Sequence, residues 1–66
     1  MRKNLKLFRV DKNLTQGEMA NKIGYCRATY TAIEAGNREG RQAFWSALQA
    51  AFDIPDADMW ALKKNE

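Results

Sequence analysis

Along this chain the apolar residues recur at three- and four-residue steps in short runs, each closed by a polar or glycine-bearing break. That period is helical, because side chains three or four apart share one face of an α-helix. Five short helices are predicted. The first runs from about residue 2 to 12, with Leu5 and Phe8 on one face and Leu7 or Val10 beside them. Asn13-Leu14 interrupts it. Thr15, followed three residues later by Glu18, has the sequence of a capping box, in which two side chains satisfy free backbone N–H groups at a helix start. The second helix, about 16–23, buries Met19, Ala20 and Ile23, and Gly24 ends it by accepting a left-handed backbone. A third, about 27–35, turns Tyr30 and Ile33 toward the core and stops at Gly36. The fourth, about 41–52, repeats Trp45, Leu48 and Phe52 with Phe44 flanking. After the turn Asp53-Ile54-Pro55-Asp56, a fifth near 56–63 packs Met59, Trp60 or Leu62. Strict alternation is absent and no Asn-Gly or Asp-Gly hairpin signal occurs, so the fold class is all-α.

The second and third helices form the informative unit. Ala20 is small enough for the third helix to cross the second closely, and Met19, Ile23, Tyr30 and Ile33 fill the angle beneath. The outward face of the third helix, Arg27, Ala28, Thr31 and Ala32, is then left without an internal partner. A helix presented in this way, at roughly 90–120° to its predecessor, suits the major groove of DNA. Its small side chains let the backbone sit deep among base edges and thymine methyls.

Composition narrows the choice. A chain of 66 residues with one cysteine and no histidine can make neither an internal disulfide nor a Cys/His zinc site. No metal or cofactor is expected, and core packing must supply the stability. No apolar run approaches a membrane span and no signal-peptide core follows Met1-Arg2-Lys3, so a cytoplasmic location is expected. The net charge of +3 is unevenly placed: Arg2, Lys3, Lys6, Arg9 and Lys12 face Asp11 alone, whereas acids prevail from Asp53 onward. A basic end fits a polyanion, and it equally fits a solvated lysine face. The absence of histidine, of a nucleophile–base pair and of a glycine-rich phosphate loop argues against an enzyme.

The stretch LTQGEMANKIGYCRATYTAIEAG (14–36), followed by FWSALQAAFDIPDADMW, resembles the Xre family, the helix-turn-helix domains of lambdoid phage repressors and Cro proteins. With Leu5 to Arg9 the resemblance covers nearly the whole chain. It implies one lambda repressor-like domain over 1–66, with its helix-turn-helix at about 16–35. It also implies binding to double-stranded DNA, usually as a homodimer on a palindromic operator. Gln16, opening the second helix, would grip a phosphate with side chain and backbone N–H. Arg27, Ala28 and Ala32 would occupy base-reading positions, with Thr29 and Thr31 near the backbone or groove edge. Asn37, Arg38 and Arg41 would meet adjacent phosphates. Arg9 and Glu34, otherwise ordinary surface charges, would pair and tie the first helix to the third.

Cys26 stands where the family usually has a Ser or Thr cap, so that cap is weaker. An exposed thiol there could also serve as a redox sensor, but no second cysteine is present to resolve it. Tyr30 replaces an aliphatic residue, its ring filling the core while its hydroxyl reaches the edge. Ala28 and Ala32 replace longer polar readers, which leaves direct hydrogen bonding to Arg27 and a threonine. The leading expectation is a transcriptional regulator, a phage- or mobile-element-type repressor without membrane or small-molecule substrate. The alternative is an antitoxin or antirepressor module that uses the fold on a protein. A weak homodimer is expected through Phe52, Ile54, Met59, Trp60 and Leu62.

Overall fold

The computed structural model describes residues 1–66 and contains five helices: α1 (Lys3–Asp11), α2 (Gln16–Ile23), α3 (Arg27–Ala35), α4 (Gln42–Phe52) and α5 (Asp56–Lys63). The fold is all-α. α2 packs on α3 and α4, while α1 packs on α5 and α3. No helix is long and apolar enough to cross a membrane.

The local chemistry of each boundary explains where it falls. The capping box is formed: Glu18 N donates to Thr15 Oγ1 at 3.1 Å and Thr15 N donates to Glu18 Oε1 at 2.9 Å. Such a cap is worth about 1 kcal/mol. Gly24 ends α2 at φ 80°, and its N–H and that of Tyr25 return to Asn21 and Ala20 carbonyls. Only glycine takes that φ without strain. α3 opens on Cys26, whose side chain makes no capping hydrogen bond.

Twelve apolar residues form the core: Leu5, Met19, Ala20, Ile23, Tyr30, Ile33, Phe44, Trp45, Leu48, Ile54, Met59 and Leu62. Phe44 sits edge-on to Tyr25 and to Trp45, with ring centroids 5.2 and 5.0 Å away. Edge-to-face pairs of this kind add about 1 kcal/mol beyond burial. Around this core the structure departs from the sequence expectations at five points. α1 begins at Lys3 and α4 at Gln42, one residue later than expected in each case, because Arg2 and Arg41 have non-helical backbones and precede the first turn. Leu7 and Val10 are more than half exposed, since the face of α1 turned inward is Leu5, Phe8 and Arg9. Trp60 does not pack; it is 68% exposed, one helical step away from buried Met59. The Tyr30 hydroxyl does not reach the edge, for the residue is wholly buried. The apolar set expected to meet a second copy is also largely spent: Ile54, Met59 and Leu62 are buried, and Phe52 packs edge-on against Phe8 at 5.3 Å.

Candidate nucleic-acid interface

The inner and outer faces of α3 have opposite characters. Inward, Tyr30, Ile33 and Glu34 are buried. The Glu34 carboxylate accepts from Arg9 Nε at 2.9 Å, Arg9 Nη2 at 3.3 Å, Tyr30 OH at 2.7 Å and Gln16 Nε2 at 3.1 Å. Arg9 Nη1 also donates to the Leu14 carbonyl at 2.7 Å. One carboxylate therefore ties α1, α2 and α3 together. Burial works against its charge, but the hydrogen bonds from Arg9, Tyr30 and Gln16 more than offset this and hold the Glu34 carboxyl below the usual carboxylate range. Its hydrogen bond raises the Arg9 guanidinium further above its ordinary value. Burial first, then the bond to Glu34, pushes the Tyr30 phenol up, so it stays protonated and remains a donor.

Outward, Arg27, Ala28, Thr31, Ala32, Ala35 and Asn37 line a shallow open trough. Arg27, Ala28, Ala35 and Asn37 are exposed, and Thr31 and Ala32 are half-buried. Thr31 donates its hydroxyl to Gln16 Oε1 at 3.1 Å, which leaves the Thr31 oxygen as an acceptor toward the trough. Ala35 belongs to this face although the sequence reading omitted it. Its position, one turn beyond Thr31 and Ala32 and two beyond Ala28, was the available signal.

Gln16 joins the two faces. Its side-chain amide is engaged inward, with Glu34 and Thr31. The backbone N–H groups of Gln16 and Gly17 have no partner within the chain, as expected at a helix start. Arg27 lies beside them, its Cδ 3.7 Å from where a Cβ on Gly17 would stand. Free donors and the positive end of the α2 dipole thus meet at one edge of the trough, next to Arg27, and favour a phosphate there.

Thr29, Arg38 and Arg41 lie on the other flank of α3. With Tyr25, Ile33, Gly40 and Phe44 they line a cleft of about 260 Å³. Thr29 Oγ1 is 3.1 Å from Cys26 Sγ, and this contact lowers the thiol pKa from its ordinary value. The surface residues singled out from sequence therefore line two neighbouring depressions, a trough along the outer face of α3 and a cleft on its flank that holds Arg38 and Arg41 together with Glu39. Arg2, counted among the basic end, is in neither: it is 2% exposed and bonded inside the fold.

Residues 5–58 match the model of the helix-turn-helix family. Over 36 residues the chain is 56% identical to an uncharacterized HTH-type transcriptional regulator, YqaE, of Bacillus subtilis (strain 168). The matched stretch is 54% of this chain and 31% of that relative, so the chain spans about a third of the relative's length. No solved structure matches. Five helices, a capped α2, a glycine turn and an α3 with a satisfied inner face and a bare outer one agree with that match, and the chain belongs to the Xre-type helix-turn-helix family of DNA-binding domains.

Proposed function

We propose that residues 1–66 act as one sequence-specific, double-stranded DNA-binding domain of a transcriptional repressor of phage or mobile-element type, working in the cytoplasm as a weak homodimer on a palindromic operator. The observation that carries this reading is the bare outer face of α3, with Arg27 beside the free N–H groups of α2. Arg27 reads a guanine edge through two parallel hydrogen bonds. Ala28, Ala32 and Ala35 let the helix approach closely. Gln16 and Gly17 hold a phosphate through backbone N–H groups, and Asn37, Arg38 and Arg41 hold its neighbours. Phosphate contacts give affinity and register, and base contacts give sequence choice. The copy-to-copy contact rests on Trp60, the large exposed hydrophobic of α5.

Selection of bound sites from random duplex DNA tests the reading. It should return paired half-sites about 10 base pairs apart, or a multiple of that. Arg27→Ala should cost about 1–3 kcal/mol on the selected site and relax one base position per half-site. Failure to bind any duplex in a salt-dependent way would turn the reading toward the alternative, an antitoxin or antirepressor module, for which exposed Trp60 is the partner-facing residue.

A further inference from the structure

Residues 37–41 carry Asn37, Arg38 and Arg41, yet this connection has almost no hydrogen bonding of its own. Asn37 N donates back to Ala32 O at 2.9 Å, and no backbone–backbone bond involves residues 38–40. What holds the segment is a side chain from the far end of the chain. Arg2 Nη1 donates to Arg38 O at 2.8 Å and Nη2 to Glu39 O at 3.0 Å. The same guanidinium donates through Nη1 to Ile33 O in the last turn of α3 at 2.7 Å, and through Nε to Lys63 O at the end of α5 at 3.0 Å. Its Nη2 also lies 3.8 Å from the exposed Glu39 carboxylate. Beneath it is Trp45, with Arg2 Cζ 5.4 Å from the ring centroid. The loop returns to the same indole at Gly40, where φ is +77° and a Cβ would stand 2.9 Å from Trp45 Nε1.

We infer that Arg2 is a positioning residue for DNA binding: its guanidinium fixes the backbone of residues 37–41 against α3, Trp45 and the end of α5, and so aims Arg38 and Arg41 at the phosphate backbone. The inference rests on the function proposed above. A planar guanidinium presents five N–H donors in a fixed fork, and four of them are used on carbonyls from three parts of the chain. An ammonium on the same stem has three donors radiating from one point and cannot span those carbonyls. Arg2 itself is too buried to reach DNA. Its effect on binding must therefore pass through the loop.

The test compares the full chain with Arg2→Lys at 10 °C, the folded fraction being measured by circular dichroism and binding to selected and scrambled duplexes followed over a range of salt. Each lost phosphate contact removes about 0.9 from the slope of log K against log salt. Arg2→Lys should lower that slope by roughly 2. It should weaken both duplexes by the same factor, and adding Arg38→Ala to it should have little further effect. A residue that only stabilised the fold would lower the melting temperature and leave the slope of the folded protein unchanged; that result overturns the inference. If Arg2→Lys does not fold, Gly40→Ala decides, since it strains the loop at its other end while leaving Arg2 in place. A reduced slope there supports the inference, and an unchanged slope overturns it. Absence of duplex binding by the unaltered chain would instead remove the proposed function.

Discussion

Two arginines seven residues apart anchor this fold to the end of α3 by different chemistry. Arg9 meets a carboxylate, Glu34, which also gathers Tyr30 and Gln16. Arg2 meets only backbone carbonyls and the face of Trp45, apart from a long approach to Glu39. The first site joins three helices through side chains that titrate. The second joins the end of α3, a loop and the end of α5 through groups that do not. A buried carboxylate makes a fold sensitive to acid, whereas a carbonyl cluster ties stability to one cation that never loses its proton.

The largest loss is expected at Arg2. Arg2→Ala strands several carbonyls at once, each unmet group costing about 1–3 kcal/mol where water cannot reach it. A total loss on the order of 4 kcal/mol is expected, close to the whole stability of so small a chain, about 3–10 kcal/mol. Urea denaturation measures it, and a loss under about 1 kcal/mol would show that solvent replaces the arginine. Next comes Glu34→Ala, which leaves Arg9 without its carboxylate and should cost on the order of 3 kcal/mol. The same titration checks it, a loss below about 0.5 kcal/mol marking a pair that contributes nothing. Gln16→Ala removes one of four donors to Glu34 and should cost only about 1 kcal/mol.

Acid separates the two sites. The folded Glu34 carboxyl titrates below its unfolded value of about 4.3. Its contribution is therefore complete above that pH and is lost as pH falls through the depressed folded value. Glu34→Gln should flatten the acid limb of a stability–pH profile. Arg2→Lys should shift the whole profile down and leave its shape unchanged.

How far each site could be read in the sequence follows from the same contrast. Helical spacing placed the core of all five helices, and Thr15 with Glu18 marked the start of α2, because periodicity and caps are local. The Arg9–Glu34 pair is 25 residues apart, and no local rule joins them; only the family resemblance did. Arg2 was beyond both routes. Beside Lys3 it reads as one more solvated charge, and the carbonyls it binds carry no sequence signal, since every residue has one. Trp60 failed for a finer reason. Met59, Trp60 and Leu62 all suit a short amphipathic helix, and a rotation of one residue decides which side faces in.

The three alanines on the front of α3 have a consequence for divergence. Ala28 and Ala35 are exposed and Ala32 is half-buried, and none of the three belongs to the core cluster. Changes there to residues other than glycine and proline should alter stability by only about 0.5 kcal/mol, mostly through helix propensity. The Glu34 network on the back of the same helix is intolerant by comparison. One nine-residue helix thus holds a structurally constrained face and a structurally tolerant one. Because the function proposed above sets positions 28, 32 and 35 against the bases, exchanges there should change the preferred target while the scaffold stays the same, and a library randomised at these three positions without proline or glycine should remain folded almost throughout.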